Sequence, residues 1–280
     1  MMLGPDDLVL CSGTFAFGTG FTERVDASGA AGFEGLSLWV NDYRSGRAEG
    51  LSDADMRAML DDHGLGIAEL DAAWWWLPGA PESVPGEMAA AFEYDEGDMF
   101  AIADALGARS LNAVDVFGGT WAIEDAAESF AGLCDRAAEH DLLVHVEFLP
   151  WSRIPDLSTA WEIARMADRP NGGVLIDAWH WTRSGPDLAL LRSIPGDKVL
   201  GIQLDDGPAA PEPDLITATM HERLLPGDGA FDLAGLVDAL RATGTRAPWG
   251  VEVFSDELHA LAADEVAVRA AAAMRAVVSR

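Results

Sequence analysis

Eight short apolar, β-branched runs recur along the chain, separated by segments whose apolar positions fall three and four apart. This alternation limits the fold more than any other feature. The runs are residues 8–15, 35–40, 66–74, 110–116, 142–149, 173–179, 199–205 and 248–254. Runs this rich in Val, Ile and Leu mark strands covered on both faces, the pattern of a parallel sheet. Helical patterns lie between them, among them SDADMRAMLDDHG, capped by Ser52 and stopped at Gly64. The Ala-rich DEVAVRAAAAMRAVV makes the last helix. Eight strands, each followed by helix, is the count of an α/β fold of one kind, a single (β/α)8 TIM barrel spanning residues 1–280 as one domain. A doubly wound open sheet uses the same units, but no Gly-rich phosphate loop follows the first strand.

Four of the runs close on a residue with a polar side chain: Glu147 in LLVHVEF, Asp177 in GVLID, Gln203 in VLGIQLDD and Glu252 in WGVEVF. A polar group at the end of a buried strand is costly unless something pairs with it. Three carboxylates and an amide offer oxygen donors only, a set suited to one hard or borderline divalent cation, Mn²⁺, Mg²⁺ or Co²⁺. Each taken singly reads as an isolated core polar group; four in register on successive strands read as a metal site. Strand alternation places His145 on the face of Glu147, Asp205 on that of Gln203, and Gly250 on that of Glu252.

Charge narrows the partners. The formal net charge is −29, from 47 acidic and 18 basic residues, and such a surface repels phosphate backbones, so nucleic acid is not an expected partner. The one lysine, Lys198, precedes a strand rather than following it, away from the barrel end that carries chemistry, which argues against Schiff-base catalysis. Cys11 and Cys134 lack ligand spacing and read as reduced core thiols. With no basic leader and no run of about 18 apolar residues, a cytoplasmic protein without a membrane partner is expected.

The order strand-Glu, strand-Asp-x-x-His, strand-Gln, Arg-x-x-Pro-Gly-x-Gly, strand-Glu resembles the xylose isomerase-like barrel superfamily. That group includes sugar phosphate isomerases and epimerases, ketose 3-epimerases and 3-dehydroshikimate dehydratases. The matching residues are Glu147, Asp177 with His180 in IDAWH, Gln203, Arg223 in RLLPGDG, and Glu252, with spacings of 30, 26 and 49 between the four strand-end positions. The resemblance implies that Glu147, Asp177, Gln203 and Glu252 ligate one divalent metal. It also implies that Glu147 and Glu252 are the acid/base pair and that His180 and Arg223 contact a small carbohydrate-like substrate. Family members of this kind are often homo-oligomers, dimers or tetramers. Many sugar epimerases carry His where this chain has Gln203, and Gln resembles the dehydratase branch.

The leading reading is an isomerase or epimerase of a sugar, sugar phosphate or related polyhydroxy ketone working through an enediolate. A lyase of the same superfamily, dehydrating 3-dehydroshikimate or cleaving an oxidised glycoside, is the alternative, and a non-catalytic sugar-binding barrel is a third. The superfamily's endonucleases use His-rich multi-metal sites, which this acidic chain lacks. His145 is a candidate substrate contact beside Glu147. Ten tryptophans include Trp39, Trp74, Trp75, Trp76, Trp151, Trp179 and Trp181 at or beyond strand ends, and Trp75 is the candidate apolar wall for a ring. Glu69, Asp71 and Asp115 are further strand acids with supporting or substrate-contacting roles. The long connections 75–88 and 207–226 are the expected pocket-building loops.

Overall fold

The computed structural model describes residues 3–81, 92–116 and 119–279. Eight strands form a closed barrel in sequence order: β1 Leu8–Leu10, β2 Gly35–Trp39, β3 Gly66–Ala73, β4 Ser110–Ala113, β5 Leu143–Val146, β6 Gly172–Asp177, β7 Val199–Leu204 and β8 Trp249–Val251. All pairings are parallel, and β8 returns to β1 in the register Leu8↔Trp249, Val9↔Gly250, Leu10↔Val251. Thr14 adds a second clasp at this seam. Its Oγ1 donates to the Val251 carbonyl at 3.0 Å and accepts from the Val253 N–H at 3.0 Å. The fold is the single TIM barrel expected.

Alternation along each strand builds the core. Leu70, Leu111, Val144, Val146, Val174, Ile176, Leu204 and Val251 are fully buried and belong to the main apolar core. Helix boundaries follow local chemistry. Helix Asp53–Asp62 opens on Ser52, whose Oγ accepts from the Asp55 N–H while the Asp55 carboxylate accepts from the Ser52 N–H. Gly64 follows that helix at φ +68°, where a side chain would be strained. Lys198 lies at the start of β7, its ammonium donating to the Arg169 and Gly172 carbonyls at 2.5 and 3.2 Å. It braces the barrel floor.

The strands end sooner than the apolar runs do. β5 stops at Val146 and β8 at Val251, so Glu147 and Glu252 lie one residue past the ladder. Each keeps one backbone link to a neighbour, Glu147 N–H to Ala113 at 3.0 Å and Glu252 N–H to Leu204 at 3.1 Å. The chain diverges there toward the loops, which puts both carboxylates at the lip of the barrel. Of the expected 75–88 connection, residues 82–88 lie outside the described residues. No described helix is long and apolar enough to cross a membrane.

Candidate active site and metal centre

Asp177 ends β6 and caps the helix Ala178–Ser184 that follows. Its Oδ1 accepts the His180 N–H at 2.7 Å. The Asp-x-x-His spacing thus fixes His180 over the barrel mouth by capping geometry. Asp177 Oδ2 accepts from Arg223 Nη1 at 2.8 Å, and Asp205 Oδ2 accepts from the same nitrogen at 2.7 Å. The remaining donors of Arg223 are also taken. Nε donates to the Thr219 carbonyl at 2.9 Å, and Nη2 to Thr219 Oγ1 at 2.7 Å and His180 Nε2 at 3.3 Å. A guanidinium has five N–H bonds, and all five are used within the protein. Burial alone would lower the pKa of Arg223, but Asp177, Asp205, Glu252 and Glu147 around it raise it.

On the opposite side of the mouth an amide stands where Arg223 stands on this one. Asn112, on β4, donates through Nδ2 to Glu147 Oε2 at 2.6 Å and to Asp71 Oδ1 at 3.0 Å, so one amide serves two carboxylates. Asp71, on β3, also accepts from Trp39 Nε1 at 3.0 Å. Burial and the nearby Glu69 push Asp71 up to about 7. Burial, with Asp71, Asp177 and Glu252 as like charges, holds Glu147 well above the usual carboxylate range. Burial and Asp71 do the same to Glu252, against the opposing pull of Arg223. His180 is pressed down to about 3, chiefly by burial, and is neutral at physiological pH.

Several of these groups line a pocket of about 510 Å³. Its polar lining includes Asp71, Glu147, His180, Arg223 and Glu252. Its aromatic wall is a three-ring cluster in which Trp39 lies nearly parallel to Phe17 and Phe254, at centroid distances of 5.5 and 5.9 Å, and the two phenylalanines are 6.4 Å apart. Trp151, Phe92 and Tyr94 complete the apolar lining. Flat rings beside convergent polar groups suit one face of a polyhydroxylated ring.

The donor set fits a divalent metal. Glu147, Asp177 and His180 each bring a ligand atom within 4.8 Å of the others, and all three are buried. Arg223 has only protons to give, so His180 Nε2 accepts from it. The same nitrogen lies 3.5 Å from Glu147 Oε1, and a cation held there would take the Nε2 lone pair in place of the Arg223 N–H. Gln203 faces Asp177 across β6–β7. Its Nε2 donates to Glu69 Oε1 at 3.1 Å, leaving the buried Oε1 without a partner among the described residues. An orphaned amide oxygen is the atom a hard cation would take.

The structure therefore brings Glu147, Asp177 and His180 together, with Glu252 and Gln203 outside that triad. The three other expected substrate contacts are placed differently. Arg223 lines the pocket with its five N–H bonds directed to protein acceptors. His145 lies deeper, its Nε2 3.0 Å from Glu69 Oε2 and 3.1 Å from Ser110 Oγ. It borders a small inner cavity of about 20 Å³ with Gln203 and Cys11, not the main pocket. Trp75 packs edge-on against Trp74 and Tyr94 and does not line the main pocket, because the turn after β3 directs it into that aromatic cluster. Asn112 and Thr219 were not singled out from the sequence. Asn112 carries a signal there, as a lone amide within the apolar run SLNAV.

The chain resembles known proteins along most of its length. It is 30% identical over 240 residues to a 3-dehydroshikimate dehydratase of Pseudomonas aeruginosa, which covers 85% of this chain but 37% of that protein. An inosose isomerase of Bacillus velezensis is 29% identical over 159 residues, 56% of each chain. Among solved structures, the IOLI protein with a bound zinc atom superposes with a TM-score of 0.83 at 20% identity, covering 98% of both chains, a likeness of fold. The model of the family described as xylose isomerase-like TIM barrel matches residues 25–277. That match takes in every strand from β2 to β8 and all four strand-end donors, and the chain belongs to the xylose isomerase-like TIM barrel family.

Proposed function

We propose that the protein is a divalent-metal-dependent isomerase or epimerase of a polyhydroxylated ketone, acting through an enediolate. The observation that carries this reading is the pair Glu147 and Glu252, two buried carboxylates with raised proton affinity on the lip of one pocket. A carboxylate whose proton affinity is raised is a stronger base toward a C–H bond than an ordinary one, and once protonated it can return the proton to carbon. Glu147, Asp177, Gln203 and Glu252 would hold the metal, with His180 near enough to replace or join one of them. The oxygen-rich set suits Mn²⁺, Mg²⁺ or Co²⁺, and an imidazole admits Zn²⁺ as well. When bound, the ion supplies polarisation of the carbonyl and stabilisation of developing negative charge.

The chain's own residues do the rest. Glu147 removes the proton α to the carbonyl, and Glu252 returns one. Return to the opposite face of the same carbon gives epimerisation; delivery to the adjacent carbon gives isomerisation. Arg223, fixed by five internal hydrogen bonds, holds Asp177 and His180 in place rather than touching substrate. The Trp39 stack lies against the ring and excludes water.

The likeness to dehydratases over 85% of the chain favours a second reading, in which the same proton abstraction is followed by loss of a β-hydroxyl. The chain spans only 37% of those relatives' length, so their whole activity does not carry over. The deciding experiment incubates metal-loaded protein with 2-keto-myo-inositol and with ketohexoses in D₂O and follows the α-proton by NMR. Exchange that Glu147→Gln and Glu252→Gln abolish supports the proposal. Absence of exchange on every ketone, with protocatechuate absorbance rising from 3-dehydroshikimate, replaces it with the lyase reading.

A further inference from the structure

The pocket's charges are unevenly matched, and the mismatch bears on which substrates can enter. Two arginines line it, Arg24 and Arg223, and both are committed to the protein. Arg223 has no N–H free. Arg24 is buried, with Nε on the Thr19 carbonyl at 3.0 Å, Nη1 on the Ser12 carbonyl at 3.0 Å and Nη2 against Asp42 at 3.1 Å. His180 is neutral. Residues 82–91 and 117–118 contain no Lys, Arg or His. Among the described residues that line it, the pocket thus offers no cation left without a protein partner for a phosphate or carboxylate.

Across from Arg223 stands a carboxylate that the proposed proton transfers do not use. Asp71 lines the same pocket and is partly exposed into it. The groups facing it are the Trp39 indole N–H, the Asn112 amide, Glu69 on its own strand, and Glu147 through Asn112. None of these is a cation. Above about pH 7, where Asp71 is ionised, a substrate anion placed here would meet like charge at short range in a medium far less screening than water. A neutral ring bearing hydroxyls would instead donate to the Asp71 carboxylate.

We propose that Asp71 is a specificity-determining residue that makes the pocket select uncharged polyhydroxylated ketones and reject substrates carrying a phosphate or carboxylate. This rests on the enolising site proposed above and names its substrate class. It also separates the two relatives' chemistries, since an inosose is an uncharged ring and dehydroshikimate an anionic one.

The test uses the protein loaded with Mn²⁺ at about pH 8.5, where Asp71 is ionised, and reads the change in tryptophan fluorescence, to which Trp39 and Trp151 in the pocket wall contribute, with calorimetry as a second measure. The probes are 2-keto-myo-inositol, 3-dehydroshikimate, D-fructose and D-fructose 6-phosphate. The uncharged member of each pair is expected to bind at least about tenfold more tightly than the anion, a discrimination within reach of one close like charge. Asp71→Asn, which keeps the shape, should narrow that gap several-fold by tightening the anions. Asp71→Glu should preserve it, and the exposed control Asp61→Asn should leave it unchanged. Anions binding the unaltered protein as tightly as their uncharged partners would overturn the proposal while leaving enolisation standing. A gap that persists in Asp71→Asn would overturn the role of Asp71. Binding of none of the four probes would remove the enolising site, and this inference with it.

Discussion

The two sides of the barrel mouth handle buried charge in opposite ways. On the β6–β7 side, Arg223 binds Asp177, Asp205, Thr219 and His180 with every donor used. On the β3–β5 side, Asp71 and Glu147 share one neutral amide and face no cation. The first arrangement is closed and stiff. The second is unfinished without a proton, a metal or a ligand, and its carboxylates accordingly have raised proton affinity. Rigidity and reactivity are thus assigned to different walls of one pocket.

The most severe way to break this contrast is to open the closed side. Arg223→Met leaves Asp177 and Asp205 buried without their partner, which should cost about 3–5 kcal/mol. Thermal melting of the metal-free protein should drop by roughly 5–9 °C for a chain of this size. An unchanged melting temperature would mean that Arg223 does not organise the site. Next in size is Glu147→Gln on the open side. It should lower α-proton exchange by about 10²–10⁴, the range for a lost acid/base group, while the fold survives. Unaltered circular dichroism with lost exchange would separate it from the Arg223 variant.

The pH response sharpens the comparison further. Asp71 titrates near 7 in the folded chain against an ordinary 3.8. The folded state therefore binds more protons than the unfolded one between those values. Its contribution to stability is complete below about 4 and is lost as pH rises through about 7. Metal-free protein should melt at a lower temperature at pH 8 than at pH 5.5, and added Mn²⁺ should recover most of the difference. Asp71→Asn should flatten that slope. The smallest effect belongs to the surface. Arg136 makes a two-pronged contact with Glu96 at 2.6 and 2.7 Å, but it is exposed, and Arg136→Ala should cost less than about 1 kcal/mol by chemical denaturation.

Much of this was legible in the sequence. Period and composition gave eight strands, the barrel, and the side on which Lys198 would lie. The four strand-end donors stood out because a polar side chain closing an apolar run has few inexpensive explanations. What the sequence hid were pairings between distant residues. Arg223 reads as a loop cation open to substrate because its carboxylate partners lie 46 and 18 residues away. Gln203 meets Glu69 across 134 residues, and Asp71 meets Glu147 only through Asn112. Strand periodicity says which face a side chain takes, but not what stands opposite it inside a barrel. His145 shows the limit from the other direction: it shares a face with Glu147 and still ends one layer too deep.

Barrel closure also governs when the protein can begin to work. β1 pairs with β8, and Thr14 is clasped to Val251 and Val253 from the far end of the chain. The same stretch carries Glu252. A chain that has emerged only as far as residue 248 has seven strands with two bare edges and lacks Glu252, so closure of the barrel and completion of the proposed acid/base pair depend on one short segment, Trp249–Glu252.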